Sequence, residues 1–99
     1  MKIKYTDTFS EWLGNLKDPV ALRAINARIA RLRLGLFGDA ARYGNVSELR
    51  IDIGPGYRVY FTMRGNTVVI LLCGGDKSTQ KKDFRRASQL AEQPFDFEI

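Results

Sequence analysis

Two segments of the sequence carry side chains suited to phosphate chemistry, and a turn signal at residues 54–56 separates them. Each segment alternates apolar and polar residues, which is typical of a strand with one buried face. The polar positions are Glu48, Arg50 and Asp52 before the turn, and Arg58 and Tyr60 after it. Two arginines beside a carboxylate can hold a phosphate and activate a neighbouring hydroxyl group. A solvated sheet face with cross-strand salt bridges explains the same pattern, and composition alone favours that second interpretation.

The turn predicts which of these side chains are neighbours. With Ile53 opposite Tyr57 across Gly54-Pro55-Gly56, the expected pairs are Asp52 with Arg58 and Arg50 with Tyr60, with Glu48 near Thr62. Helices predicted elsewhere in the chain are expected to cover one face of the sheet. We therefore expect the face that carries these polar groups to be open to a ligand.

The composition excludes several other classes of site. The 99 residues include no histidine, which removes the commonest general base and metal ligand. A single cysteine excludes an intramolecular disulfide and a cysteine-based zinc site. The 16 basic and 11 acidic side chains give a net charge of +5, which favours polyanionic partners. No signal segment opens the chain and no apolar run approaches the roughly 18 residues of a membrane span, so we expect a cytoplasmic protein without membrane contact.

Hydrophobic periodicity predicts one α+β domain over residues 1–99, with the element order β-α-α-β-β-β-α. A strand over Lys2–Thr6 comes first. A capping box at Thr8–Glu11 predicts a short helix, and Asp18-Pro19 predicts the start of a longer one. The longer helix carries an apolar stripe that runs to Leu36, and the two helices are expected to form a hairpin over one face of the sheet.

The second half of the chain changes to a period of two. It predicts three antiparallel strands, over residues 48–53, 57–63 and 68–73. Ser78 or Thr79 is then expected to cap a last helix.

Three stretches of the sequence resemble one family of proteins. They are Glu48-Leu49-Arg50, the strand Gly56–Phe61, and the segment Leu71–Asp83 with its Gly-Gly-Asp-Lys-Ser-Thr-Gln turn. In these stretches, and in the order of elements over nearly the whole chain, the sequence resembles the RelE/ParE superfamily of toxins from toxin–antitoxin modules. More narrowly, it resembles the HigB-like branch of addiction-module killer proteins. The resemblance implies a small twisted antiparallel sheet backed by an N-terminal helix hairpin.

The resemblance also implies roles for four side chains. Arg58 matches a strand arginine that nuclease members use near the scissile phosphate, and Glu48 and Arg50 match polar positions of the preceding strand that supply a base or basic groups. Lys77 follows the last strand, where members often carry another basic or catalytic group. We expect the ribose 2′-hydroxyl to be the nucleophile, Glu48 its base and the two arginines the phosphate ligands. Lys77 is the better candidate acid, and water or a ribosomal group is the alternative. Many nuclease members carry a histidine or a tyrosine near the C-terminus, and residues 94–99 contain neither.

The implied function is that of a type II toxin, a ribosome-dependent mRNA endoribonuclease (an mRNA interferase) that inhibits translation without a metal or organic cofactor. The implied partners are the ribosome with its mRNA, a cognate antitoxin of helix-turn-helix type, and operator DNA bound through the antitoxin complex. One alternative is a ParE-like inhibitor of DNA gyrase without nuclease activity, against which the presence of Glu48, Arg50 and Arg58 argues. The other is a catalytically degenerate fold that serves only as an antitoxin partner or operator corepressor, which the missing histidine and tyrosine favour.

Basic side chains outside the strand pair are candidates for RNA contacts. The positive excess is concentrated in residues 1–45, where three arginines are candidates on the longer helix: Arg23, Arg28 and Arg31. The last helix adds Lys81, Lys82, Arg85 and Arg86, a surface that an acidic antitoxin segment would also use. Tyr60, on the polar sheet face, is a further candidate. A solvated helix face explains the arginines of the longer helix equally well.

Overall fold

The computed structural model describes residues 1–94, which form five strands, three α-helices and one short 3-10 turn. In chain order these are β1 (Lys2–Tyr5), α1 (Asp7–Gly14), α2 (Pro19–Arg33), β2 (Ala40–Tyr43), β3 (Val46–Ile51), β4 (Tyr57–Arg64), β5 (Val68–Asp76), the 3-10 turn Lys77–Thr79 and α3 (Gln80–Glu92). The predicted α+β class and order of elements are confirmed. Strand β2 is an added edge strand, whose four residues are too few for alternation to be recognised.

The strands form one mixed sheet in the order β1-β5-β4-β3-β2. Strands β2 to β5 pair antiparallel with one another, whereas β1 runs parallel to β5. The family resemblance implied a sheet that is antiparallel throughout, and the parallel β1–β5 pair corrects that expectation. The reason is topological: the α1–α2 hairpin carries the chain from β1 to the opposite edge, and the four-strand meander returns it alongside β1 in the same direction.

Helices α1 and α2 pack on one face of the sheet and form the first core with the inward residues of β3, β4 and β5. Helix α1 begins two residues earlier than predicted because Thr6, rather than Thr8, is its cap. The Thr6 hydroxyl accepts a hydrogen bond from Phe9 N at 3.1 Å and donates one to the Leu72 carbonyl at 2.5 Å, which ties the helix start to β5. Asp18 caps α2 as predicted.

Helix α2 ends at Arg33, before the end of the predicted apolar stripe. Gly35 adopts a φ of 78°, a left-handed conformation that ends a helix readily. Leu36 therefore lies beyond the helix and is exposed.

Helix α3 packs on the opposite face, where its residues Ala87 and Ala91 form a second core with five strand residues: Val46, Tyr60, Ile70, Leu72 and Cys73. A register shift in the β4–β5 pair allows the consecutive residues Leu72 and Cys73 both to face α3. The expectation that this face is open to a ligand is wrong for the part that α3 covers, because β5 is apolar on both faces and α3 buries its second face. The part next to β2 stays accessible at Tyr43 and Arg50.

The start of α3 depends on Asp76 and Thr79. Asp76 accepts a hydrogen bond from Ser78 N at 2.8 Å and caps the 3-10 turn. Thr79 precedes α3 as predicted, but its hydroxyl donates to the Asp83 carboxylate instead of capping the helix.

Across residues 1–94, no helix is both long and apolar enough to cross a membrane. Residues 95–99, most of the tail that lacks the tyrosine of many RelE/ParE members, lie outside the described residues.

Candidate functional site

The candidate site lies on the β3–β4 pair, on the face that α3 covers. Arg50 is directly opposite Arg58, and Glu48 is directly opposite Tyr60. Glu48 is 1% exposed, and its Oε1 accepts a hydrogen bond from Arg50 Nε at 3.0 Å and lies 3.9 Å from Arg58 Nε. One buried carboxylate therefore offsets the charges of two arginines whose proximity would otherwise be repulsive.

The observed register differs from the predicted one by two residues. Ile51, rather than Ile53, pairs with Tyr57, because Gly54 and Gly56 both adopt positive φ and widen the predicted tight turn. Side chains alternate between faces with a period of two, so a shift of two residues keeps each side chain on its predicted face and changes its neighbours. The directly opposite pairs therefore differ from the predicted pairs Arg50–Tyr60 and Glu48–Thr62, whereas Asp52 and Arg58 remain neighbours as an ion pair although they are not directly opposite.

Gln80, the first residue of α3, closes the site. Its Nε2 donates a hydrogen bond to Glu48 Oε2 at 2.8 Å, so both carboxylate oxygens of Glu48 are occupied. The Tyr60 hydroxyl donates to the Gln80 carbonyl at 3.4 Å. Burial, and next the negative charge of Glu48, raise the pKa of Tyr60, which keeps it a neutral phenol. Tyr60 is fully buried beneath α3, so the predicted RNA contact by its side chain is wrong for this conformation.

Arg58 and Lys77 come together at the Gly56 turn. A Cβ atom added to Gly56 would lie 3.4 Å from Lys77 Cβ and 3.6 Å from Arg58 Nη1. Arg58 is 7% exposed, and its Nη1 lies 3.7 Å from Oδ1 of the exposed Asp52. Within residues 1–94 the buried Nε of Arg58 has no hydrogen-bond partner, because its separation from Glu48 is too long. The structure thus brings Arg58 and the base of the Lys77 side chain, two of the predicted catalytic residues, to the end of the sheet where β4 begins and β5 ends.

Arg50 is the more accessible of the two arginines and joins a wider network. Its Nη2 donates to the Tyr43 hydroxyl at 3.2 Å, and its Nη1 lies 3.7 Å from Asp39 Oδ1. The hydrogen bond to Glu48 is the main cause that raises the pKa of the Arg50 guanidinium. Arg50 therefore remains a cation held from three sides.

Arg28, predicted to contact RNA, supports the backbone of the site. Its Nη1 donates to the Arg50 carbonyl at 2.5 Å, and its Nη2 donates to the carbonyls of Phe37 and Asp39 at 3.1 and 3.0 Å. These three acceptors hold the guanidinium against the α2–β2 connection, and the predicted phosphate contact by Arg28 stays a prediction. Arg28 connects α2 to the strand that carries Arg50.

The other predicted basic groups lie at the surface, on both sides of the sheet. Arg23 and Arg31 are exposed on α2, across the sheet from Glu48, so the structure does not bring them to the site. The exposed cations of α3 lie on the same side of the sheet as Glu48: Lys81, Lys82, Arg85 and Arg86. The sheet thus separates two basic surfaces that the sequence could not distinguish.

Sequence reasoning missed three contributors to the site: Tyr43, Gln80 and Asp39. Tyr43 lies on the short strand β2, whose four residues carry no recognisable alternation. Gln80 follows a helix-start signal, and nothing in the pattern separates it from a solvated side chain. No feature of the sequence pairs Asp39 with Arg50.

The arrangement is suited to binding an anion. The guanidinium groups of Arg50 and Arg58 each present donors that match two oxygens of a phosphate, and Lys77 adds a mobile positive charge. Within the described part of the chain, no group of three His, Cys, Asp or Glu side chains is arranged to hold a metal ion.

The sequence matches known proteins along most of its length. Residues 12–96 match the family described as "Phage derived protein Gp49-like (DUF891)", and this range includes every residue of the candidate site. The chain is also 52% identical over 94 residues to an uncharacterized protein of Haemophilus influenzae (strain ATCC 51907 / DSM 11121 / KW20 / Rd), a match that covers 94% of this chain and 95% of that protein. The protein therefore belongs to the family of phage-derived, Gp49-like proteins.

Proposed function

We propose that this protein is the toxin of a type II toxin–antitoxin module and that it cleaves mRNA on translating ribosomes. The observation that carries the proposal is the pairing of Arg50 with Arg58 around the buried Glu48, with Lys77 at the end of the strands where β4 begins. By the resemblance to the RelE/ParE superfamily, Arg58 matches an arginine near the scissile phosphate, Glu48 and Arg50 match positions of a base or basic groups, and Lys77 matches a further basic or catalytic position. Two further observations support the assignment as a toxin: the chain belongs to the phage-derived, Gp49-like family, and its sequence resembles the HigB-like branch of addiction-module killers.

In the proposed reaction the two arginines bind the non-bridging oxygens of the scissile phosphate. Negative charge builds on these oxygens in the transition state, and a fixed guanidinium stabilises it without reorganisation. Arginine stays protonated at any working pH, so neither Arg50 nor Arg58 is a suitable proton donor. The exposed ammonium group of Lys77 is the proposed acid for the leaving 5′-oxygen.

The proposed nucleophile is the ribose 2′-hydroxyl of the RNA itself. Its oxygen attacks the adjacent phosphorus, the bond to the 5′-oxygen breaks, and the products carry a 2′,3′-cyclic phosphate and a 5′-hydroxyl. Glu48 is the proposed base, but in this conformation both of its oxygens are occupied. We infer that Glu48 positions the arginines until RNA binding moves the Gln80 amide away from Oε2, which frees one oxygen to accept the proton.

The proposed antitoxin contact is the cationic face of α3. Lys82, Arg85 and Arg86 line a shallow groove of about 400 Å³ together with Leu90. An acidic segment with an apolar anchor matches both the charge and the surface of this groove. A helix-turn-helix antitoxin bound there would carry the complex to its operator DNA.

Primer extension on a defined mRNA in a purified translation system tests the proposed function. We expect new 5′ ends at codon-spaced positions when ribosomes are present, and none on the same RNA without ribosomes. Cleavage of free RNA would contradict ribosome dependence alone and leave a self-sufficient nuclease. No cleavage in either reaction would overturn the nuclease, and inhibition of gyrase supercoiling by the same protein would then support the ParE-like alternative.

A further inference from the structure

An open groove of about 670 Å³ lies between the edge strand β2 and helix α3, next to the arginine pair. Its lining includes two aromatic rings, Tyr43 and Phe84, and two exposed cations, Lys81 and Arg85. Glu48 and Gln80 also border it. The groove therefore combines an apolar lining with a positively charged rim.

The aromatic side chains of the groove are fixed and still partly available. The rings of Tyr43 and Phe84 contact edge to face, with centroids 5.5 Å apart and planes at 85°. Phe84 in turn contacts the buried Tyr60 with centroids 6.4 Å apart, which anchors the pair to the sheet. Tyr43 is nevertheless 46% exposed. The exposed part of Tyr43 therefore leaves room for a second flat ring. Nucleobases are such rings, and they stack on aromatic side chains whatever their sequence.

The charge of the groove indicates what accompanies that ring. Lys81 and Arg85 favour an anion, and the Tyr43 hydroxyl accepts a hydrogen bond from Arg50 at 3.2 Å. The groove and the accessible arginine of the site, Arg50, are thus neighbours on one surface. A chain that repeats a flat ring and a phosphate, as single-stranded RNA does, matches this order of groups.

We propose that the groove lined by Tyr43 and Phe84 is a nucleobase subsite, in which Tyr43 stacks on a base of single-stranded RNA and Lys81 and Arg85 contact the adjoining phosphate. This inference rests on the proposed RNA-cleaving function and extends it from the reacting phosphate to a neighbouring nucleotide. An acidic peptide with apolar side chains would also suit the cations and the apolar lining of the groove, but it gives no reason for the groove to adjoin Arg50. RNA is therefore the occupant that the geometry favours.

Fluorescence anisotropy with a labelled, 2′-O-methylated RNA tests the subsite without cleavage. The measurement uses low salt, because phosphate contacts weaken steeply as salt rises. A second RNA carries abasic sites in place of bases. We expect Tyr43→Leu to weaken binding of the intact RNA roughly tenfold, the scale of one lost stacking contact, and to leave binding of the abasic RNA nearly unchanged. Tyr43→Phe, which keeps the ring, is expected to retain most of the affinity.

Tyr5→Leu is the matched control. Tyr5 is also an exposed strand tyrosine, but it lies on β1 at the opposite edge of the sheet. We expect this variant to bind both RNAs like the unmodified protein. Equal losses on intact and abasic RNA in Tyr43→Leu, equal losses in Tyr5→Leu, or no binding by the unmodified protein would each overturn the nucleobase subsite.

The two proposals fail in different ways. If the unmodified protein cleaves mRNA and Tyr43→Leu binds RNA normally, the subsite is wrong and the proposed function stands. If no cleavage occurs but binding still requires bases and the Tyr43 ring, the subsite stands and the proposed reaction is wrong. Tyr43-dependent binding of a synthetic peptide of Glu and Leu, with none of RNA, would make the groove a protein-docking surface and overturn the subsite.

Discussion

Arg50 and Arg58 occupy directly opposite positions on β3 and β4, and the carboxylate of Glu48 faces both. Like charges placed opposite each other destabilise a strand pair, and an unpaired buried carboxylate is costly as well. Each of the three charges therefore depends on the other two. Such an arrangement holds the Nε atoms of two guanidinium groups within 3.0 and 3.9 Å of one carboxylate oxygen.

The first prediction is that the negative charge of Glu48 stabilises the folded protein. Glu48→Gln keeps the size of the side chain and an acceptor oxygen but removes the charge that offsets both arginines. We expect it to lower the free energy of unfolding by about 2–4 kcal/mol, as measured by urea denaturation. Asp52→Asn is the matched control, because Asp52 pairs with Arg58 from a side chain that is 76% exposed, and it is expected to cost less than about 1 kcal/mol. Equal effects of the two changes would show that burial adds nothing to the pairing.

The role of Arg58 in the reaction is the second prediction. Arg58→Ala is expected to lower the rate of ribosome-dependent cleavage about 100-fold or more, the usual effect of removing one group that stabilises transition-state charge. Arg58→Lys should retain part of the rate, because an ammonium keeps the charge but lacks the two-pronged geometry.

Arg42→Ala controls for the loss of a strand arginine outside the site. Arg42 is exposed on β2, and its Nε donates to the Gly44 carbonyl at 3.0 Å. This variant should cleave at the normal rate, and circular dichroism should show that all three variants are folded. A folded Arg58→Ala protein with unchanged cleavage would remove Arg58 from the mechanism.

The sequence predicts which face of the sheet each polar residue occupies, but it does not predict which residues are directly opposite each other, although the predicted neighbours Asp52 and Arg58 do form an ion pair. Glu48, Arg50 and Arg58 share a face as expected, because alternation with a period of two is a local property of each strand. The register depends on the backbone conformation at Gly54 and Gly56, since either a tight or a wide turn fits the same residues. A shift of two residues is therefore invisible in the pattern.

The burial of the site could not be predicted for a different reason. It depends on α3, whose apolar stripe is evident in the sequence but whose docking face is not. The contact of Gln80 with Glu48 spans 32 residues of the chain and joins two side chains that carry no pattern. Likewise, the position of Arg28 in the sequence pattern is that of an ordinary exposed arginine on a helix. Only the path of the chain between α2 and β3 brings three carbonyl groups to its guanidinium.

Two consecutive glycines in β5 give the third prediction. A Cβ atom on Gly75 would overlap the Asp83 carboxylate of α3, and one on Gly74 would overlap the Trp12 ring of α1. We expect Gly75→Ala and Gly74→Ala each to lower the free energy of unfolding by about 2–3 kcal/mol in urea titrations, because Asp83 is held by its hydrogen bond to Thr79 and the Trp12 ring packs against Phe9 and Tyr57. Gly14→Ala, at the end of α1 with no atom within 4 Å of the added carbon, should be neutral or slightly stabilising.

The Gly75 effect can be traced to one contact. Asp83→Ala removes the carboxylate that the new methyl group would overlap. The double variant Gly75→Ala with Asp83→Ala should therefore lose less stability than the two single changes add up to. Strict additivity would mean that the methyl group clashes with something other than Asp83.

Stability in alkali is the fourth prediction, and it concerns Cys73 beneath α3. Burial, and next the negative charge of Asp83, raise the pKa of the Cys73 thiol from 9.0 to about 12. Above about pH 9 the unfolded chain releases this proton while the folded protein keeps it, so the unfolded state binds fewer protons. The thiol's contribution to stability is therefore complete below pH 9 and is lost as the pH rises toward 12. Tyr60, whose pKa is also raised by burial, acts in the same direction.

Urea denaturation of the unmodified protein and of Cys73→Ala, across the range from about pH 8 to about pH 11, isolates the thiol. The comparison uses slopes against pH, because the loss of the sulfur atom lowers the stability of the variant at every pH. The unmodified protein should lose stability more steeply above pH 9, with the difference approaching about 1.4 kcal/mol per pH unit, the limit for one group. Parallel curves for the two proteins would mean that the thiol ionises as readily in the folded protein as in the unfolded chain, and hence that α3 does not shield it from water.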